Sequence, residues 1–222
     1  MKLMKSILSA IMVVALSLSV TSCLDDESNA AWGSEFVKVN TENVPITFTN
    51  SSGVELIPSS SILSVDSECD MAIVNYQYNK DKANENPLNI VMISEPYYFP
   101  LSNIENLSVA EEANASIMTL SPEYYDGVYY TGQFFDRKTL ILPIQYKYKE
   151  YSSSTEQKNE MNAHSFVLVY DPDNCISGGT LNLELRHVID ESYDDIERTS
   201  DAMNFFAFDI SAALNGSTIT KV

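Results

Sequence analysis

Histidine, tryptophan, cysteine and positive charge are what this chain has least of. Its 222 residues hold two histidines, one tryptophan and three cysteines, and 13 Lys and Arg stand against 31 Asp and Glu. Zinc sites need closely spaced Cys and His, and no such spacing occurs. The G-x-S-x-G elbow, the H-E-x-x-H helix and the phosphate-binding P-loop are absent as well. Phosphate backbones are bound by clustered Lys and Arg, so the base deficit excludes nucleic acid as a partner. The negative charge would keep the chain soluble and self-repelling at a crowded surface. No cofactor or metal ion is expected. Long apolar runs are missing too: the longest, residues 6–20, is serine-interrupted and shorter than the about 20 residues a membrane helix needs.

That run has a different meaning. Lys2 and Lys5 precede it without any acid, and small residues close it, which is the layout of a secretory signal. Cys23 follows directly after Thr21 and Ser22, an arrangement that resembles the lipobox of bacterial lipoproteins, with Val20 where leucine is usual. An ordinary signal peptide with a nearby cysteine is the alternative. The resemblance implies cleavage before Cys23 and acylation of its thiol, palmitate included, with several chains on one residue. One acyl chain alone binds a membrane only marginally. Asp25, Asp26 and Glu27 resemble the acidic signal that sends Bacteroides-type lipoproteins to the outer face of the outer membrane. Without residues 1–22, which carry two of the 13 bases and no acid, 11 bases face 31 acids, a net charge of −20.

The remainder reads as all-β. Residues 28–33 are small and polar, a tether. From Glu35 onward short apolar runs alternate with turn residues: 35–39, 44–49, 54–57, 71–78 and 89–94. Five or six short strands over about seventy residues point to a small barrel or curled sheet. The second half begins near Asn106. In residues 139–149, Leu140, Leu142, Ile144, Tyr146 and Tyr148 share one face, while Ile141, Pro143, Gln145, Lys147 and Lys149 take the other. Pro143 cannot donate to a ladder, which places an edge or a bulge there. Residues 163–170, 180–187 and 204–210 are further strands, and 109–113 offers a brief helix-like alternative. Sheets that each bury one face must stack, which predicts a sandwich. The expected organisation is a signal peptide over 1–22, a lipidated tether over 23–33, a barrel domain over 34–105 and a β-sandwich over 106–222.

Few residues stand out chemically. His187 falls on the apolar side of its strand, as a structural histidine at a core margin would. Glu184 and Arg186 fall on the other side, as a cross-strand ion-pair set. Six acids within 190–201, with Arg198 among them, could offer oxygen ligands to calcium, but the ordered calcium-loop pattern is missing and a solvated loop is the simpler reading. Cys69 and Cys175 could pair in an exported protein, but two distant cysteines form no framework. The aromatic group is the better candidate for binding: in a strand Tyr130 and Phe134 face one way, and Tyr129 and Phe135 the other. Exposed rings give large contact area to sugars or peptides at low entropy cost, while packing against neighbouring strands is the alternative.

Five segments together resemble the NigD-like lipoproteins of Bacteroidetes. They are the lipobox with its acidic tail, Val54-Glu55-Leu56-Ile57-Pro58, Ile73-Val74-Asn75-Tyr76, Leu183-Glu184-Leu185-Arg186-His187, and Asn204-Phe205-Phe206-Ala207-Phe208-Asp209-Ile210. The resemblance implies an N-terminal OB-like domain followed by a C-terminal β-sandwich, and no established enzymatic activity. Family members usually continue beyond the aromatic strand, whereas here about a dozen residues follow it. The expected function is a lipid-anchored outer-membrane or cell-surface protein, held through Cys23, that binds a glycan, peptide or protein without catalysis. An envelope glycoside hydrolase and a bacteriocin-associated structural lipoprotein are the alternatives.

Overall fold

The computed structural model describes residues 29–42, 44–65, 69–120, 131–193 and 196–214. The chain divides into two compact units, Met1–Tyr98 and Phe99–Val222. Cys23, Asp25, Asp26 and Glu27 lie outside the described residues.

In the first unit, β1 (Ala30–Asn40), β2 (Thr47–Asn50), β3 (Glu55–Pro58), β4 (Met71–Asn79) and β5 (Leu88–Met92) form a sheet in the order β1-β2-β3-β5-β4. β1 also pairs with β4 along nine residues, from Ala30↔Asn79 to Lys38↔Met71, and this closes a five-stranded barrel. The β3–β5 pair is parallel and the others are antiparallel. A sixth strand, β6 (Tyr97–Phe99), lies beside β4.

Strand alternation fills the barrel. Leu88 and Ile90 are buried while Asn89 and Val91 face outward, and Val37 and Val39 point in beside Phe48, Leu56, Val74 and Tyr76. β1 takes up Ala30–Gly33, which composition alone assigns to the tether. Gly33 explains why that stretch can pair: a Cβ there would collide with the Tyr76 ring, so only glycine lets the ring pass. The Tyr76 hydroxyl then donates to Glu35 Oε1 at 2.5 Å. Burial, and then this bond to a carboxylate, raise the phenol well above its ordinary range.

The second unit is built on the long antiparallel pair β11 (Thr139–Tyr148) and β16 (Ser200–Asp209), in register from Thr139↔Asp209 to Tyr148↔Ser200. β7 (Leu101–Asn103) runs parallel to the end of β16. β9 (Ile117–Thr119) and β10 (Gln133–Phe134) flank different parts of β11. Pro143 falls between the stretches that meet β10 and β9, where no ladder bond is asked of it, and a register shift follows at Gln145/Tyr146. A second sheet orders β15 (Glu184–Ile189), β12 (His164–Tyr170) and β8 (Glu105–Asn106). A hairpin, β13 (Ile176–Ser177) and β14 (Thr180–Leu181), turns through Gly178 and Gly179, both with positive φ. Leu140, Ile144, Tyr146 and Phe208 of the first sheet share one core with Phe166 and Leu168 of the second.

Two expectations need correction here. The outward face of β11 is not polar over its first half, since Ile141 is fully buried. Phe205 is buried on β16 opposite Pro143, and the buried ring of Phe99 lies tilted against Phe205 with centroids 6.4 Å apart. Residues 109–113 form no helix; the helix is α1, Ser154–Ala163. It lacks an apolar stripe and buries only Glu160 and Ala163, so hydrophobic periodicity could not reveal it. Ser153 caps it by accepting from Glu156 N–H at 3.4 Å. A second short helix, α2 (Ser211–Leu214), follows β16. Cys175 is buried in the second unit and its Sγ donates to the Ala213 carbonyl.

Candidate functional site

The densest chemistry among the described residues lies inside the second unit, where both histidines of the chain meet. Glu160 projects from the last turn of α1, four residues before His164, the first residue of β12. β15 runs antiparallel to β12 and places His187 beside it, opposite Phe166. The side chains of Glu160 and His164 are 0% and 1% exposed, and His187 is 1% exposed.

The contacts form one line. The Ser116 carbonyl lies 2.9 Å from His187 Nδ1, His187 Nε2 lies 2.8 Å from His164 Nδ1, and His164 Nε2 lies 3.2 Å from Glu160 Oε1. Glu160 also accepts from the Lys149 N–H at 2.9 Å and from Arg198 Nε at 2.9 Å. Arg198 is held in turn by the carbonyls of Tyr193 and Ile196. Tyr146 closes the group, its ring 4.9 Å from His164 and 5.6 Å from His187, with Asn204 donating to its hydroxyl.

Proton positions follow from the partners. A carbonyl only accepts, so His187 Nδ1 carries a proton. His187 Nε2 then accepts from His164 Nδ1. With two protons on the pair, these contacts are satisfied and His164 Nε2 faces Glu160 bare. A third proton would turn that last contact into a charge-assisted bond. Burial opposes it: desolvation lowers His187 to about 4, and lowers His164 against the pull of Glu160. Burial alone would raise Glu160, but the Lys149 amide and Arg198 donate to it and hold the carboxyl below its ordinary range. A cluster so enclosed offers a substrate no approach. Its chemistry is that of an internal latch joining α1, β11, β12, β15, Tyr193 and residues 196–198.

The sequence-derived residues fare differently from one another. His187 is structural, though it is fully buried and not at a margin. Arg186 does not face solvent, being 3% exposed. Its Nη1 donates to the carbonyls of Glu111 at 2.8 Å and Ala110 at 3.2 Å, and its Nε to Glu184 at 2.8 Å. The physical reason is that residues 110–116 run along β15: Asn114 exchanges two bonds with Ile189, and Ala115 bridges His187. Arg198, within the acidic stretch, is drawn inward to Glu160 and does not lie in a solvated loop. Among the described residues no acidic, His or Cys group is arranged to hold a metal ion. Phe134 on β10 is 43% exposed and Phe135 is 7% exposed, so alternation separates them and Phe135 belongs to the core. Tyr129 and Tyr130 lie outside the described residues. Sequence reasoning missed Glu160 and the pairing of the histidines; the four-residue spacing of Glu160 and His164 was the one available signal.

Two shallow grooves are present. One of about 210 Å³ is lined by Leu107, Tyr170, Asp171, Asn182 and Glu184 among others. The second, of about 320 Å³, lies at Ser60–Ile62 and Met92–Pro96. The first contains two carboxylates, as glycoside hydrolysis requires, but both are committed elsewhere. Asp171 accepts from Asn174 and Asp173 within its own turn, which holds it below the ordinary range, and Glu184 pairs with Arg186. A general acid for that reaction needs the opposite shift.

No protein-family model matches the chain, and no curated protein does. Solved structures do. A presumed lipoprotein from Bacteroides fragilis matches at 28% identity with a TM-score of 0.67, over 83% of this chain and 80% of that one. A protein of unknown function from Bacteroides vulgatus, assigned to DUF1344, shares the fold at 12% identity and a TM-score of 0.51, over 85% and 78% of the two chains. Over most of its length, then, this chain is similar to a presumed lipoprotein of a Bacteroides species.

Proposed function

We propose that this chain is a lipoprotein of the NigD-like kind, anchored through acylated Cys23 to the outer membrane, exposed at the cell surface, and serving as a non-catalytic binding or interaction module. The observation that carries this reading is the likeness to the Bacteroides fragilis protein, taken together with Cys23 behind an export signal. Asp25, Asp26 and Glu27 supply the surface-sorting part of the proposal. Among the described residues no helix is long and apolar enough to cross a membrane.

The closed order β1-β2-β3-β5-β4 with parallel β3 and β5 supports an OB-type barrel, a fold that takes oligosaccharides and oligonucleotides. Fold does not fix function. The acid excess removes nucleic acid, leaving a glycan, a peptide or a protein as partner. Two sheets sharing one core support the sandwich reading of the second unit. The sealing of the histidine cluster and the commitments of Asp171 and Glu184 favour binding over hydrolysis. Of the aromatic group, Phe134 is the described ring available to a partner.

Two experiments test the proposal. Palmitate labelling of the whole chain should be lost in Cys23→Ser; labelling that survives would overturn the anchor. A glycan array and a pull-down on intact cells should return a ligand, and blank results over a broad panel would overturn the binding role.

A further inference from the structure

Few large apolar side chains stand exposed in the first unit. Among the described residues, those carried on barrel strands are Trp32 on β1 and Val91 on β5, 65% and 43% exposed; Val44 and Leu63 lie between strands. A scattered apolar residue at a surface needs no explanation. These two are not scattered. Trp32 is the register partner of Gln77, and Gln77 is the register partner of Val91. Partners in antiparallel register project to the same face, so the three side chains stand in one row across β1, β4 and β5. Neighbouring strands are about 4.8 Å apart, which puts Trp32 and Val91 roughly 10 Å from each other.

The row lies close to where the chain enters the barrel. β1 starts at Ala30, and two residues at about 3.3 Å each place Trp32 roughly 7 Å from that end. From Cys23 to Ala30 are seven residue steps, which covalent geometry limits to about 25 Å. The same end carries the turn Lys80–Lys82, tied to the entering chain by the bond from Asn29 Nδ2 to Asp81 Oδ2 at 2.8 Å. Lys80 and Lys82 balance Asp81 and Glu85 within this turn, so the barrel itself adds no net charge there. Tryptophan is the side chain that settles at a lipid–water boundary, its ring apolar and its N–H still bonded to polar groups.

We propose that Trp32 and Val91 form a membrane-contact face, which seats the barrel on the lipid–water boundary of the leaflet that holds acylated Cys23. The inference rests on the anchor proposed above and adds how the anchored unit is oriented. Acyl chains fix only the end of a tether; a ring embedded at the boundary restricts the rotation of the barrel and determines which loops face away from the membrane.

Because Trp32 is the one tryptophan of the chain, its fluorescence reports this contact alone. The whole lipoprotein, purified from the membranes of producing cells, is reconstituted into phosphatidylcholine vesicles with and without brominated acyl chains. Mass spectrometry of the N-terminal peptide checks acylation separately. The expected result is emission at shorter wavelength than in the soluble Cys23→Ser protein, with quenching by the brominated lipids. Trp32→Phe should abolish the signal. Val91→Asp should reduce quenching while the protein stays with the vesicles. Acylated, vesicle-bound protein whose emission matches the soluble form and escapes quenching overturns the membrane face and leaves the anchor standing. Emission that shifts with protein concentration and not with lipid gives the face to a second copy, and also overturns it. A peptide without acyl groups overturns the anchor and this inference with it.

Discussion

The two units solve the same problem, closing an all-β core, by different physical means. In the barrel the ladder closes on itself through β1 and β4 and the interior is filled by alternate apolar residues; buried Thr47 donates to Glu55, and Glu35 and Glu55 are themselves only half-buried. In the second unit a carboxylate, two imidazoles and a guanidinium lie within or beside the core, each satisfied by specific partners. An apolar interior is non-directional and forgiving of detail. A buried polar network depends on every member being present, because an orphaned charge keeps its desolvation cost and loses its compensation. The comparison teaches that the barrel is robust to single polar changes while the second unit is brittle to them.

The largest effect that should sharpen this contrast comes from Glu160→Ala. It strands Arg198 and exposes His164 to an unmatched neighbour, and should cost the second unit about 3–5 kcal/mol. Hydrogen exchange followed on peptides from both units is the suitable readout, with barrel protection unchanged; equal loss in both units would break the comparison. Glu160→Gln keeps the shape and should cost less.

Acidification comes next. The folded histidine pair binds its extra proton more weakly than a free imidazole, so the unfolded chain is protonated first. Its stabilisation is whole above about pH 6.5 and lost as the pH falls toward about 4. At 1.36 kcal/mol per pH unit His187 alone contributes a loss of about 3 kcal/mol, and His164, lowered in the same direction, adds to it. Glu160, held low when folded, adds a loss of the same sign at lower pH still. Urea melts across this range should show the second unit weakening before the barrel, and His187→Phe should flatten the dependence. A pH-independent midpoint would refute the assignment of neutral, buried imidazoles.

In the barrel the matching sensitive point is steric. Gly33→Ala would press a methyl into the Tyr76 ring, and overpacking of that kind costs about 1–3 kcal/mol. The expected signature is lost amide protection in β1 and β4 with the second unit intact. Smallest is Ser153→Ala, which removes the cap of α1 and should cost about 1 kcal/mol. A larger loss would mean that α1 holds the latch together by more than its cap.

The parts legible in the text were those that obey a period. Leu140, Leu142, Ile144 and Tyr146 alternate because one sheet face meets a core, and the 204–210 run sits within β16 for the same reason. Where a strand is covered on both faces, the pattern misleads: Ile141 and Arg186 look outward by alternation, yet Ile141 is fully buried on the face that β16 shares through Phe205, and Arg186 is covered by residues 110–116. Helix α1 escaped because it buries a carboxylate where a helix ordinarily buries a leucine. The aromatic candidates were half informative, since Phe134 and Phe135 do part to opposite faces, but which of the two would be core was not decided by their own sequence.

By itself, the sequence determined the strand-rich class, the scarcity of metal and catalytic motifs, and the acidic balance of the chain. These depend on composition and local periodicity, which need no partner. The tertiary structure alone decided that β1 would meet β4 and close a barrel, that Glu160, His164, His187 and Arg198 would converge from four separate stretches, and that Trp32 and Val91 would share one row. Apart from Glu160 and His164, four positions apart, these residues are separated by tens of positions along the chain, and pairing register and packing bring them together.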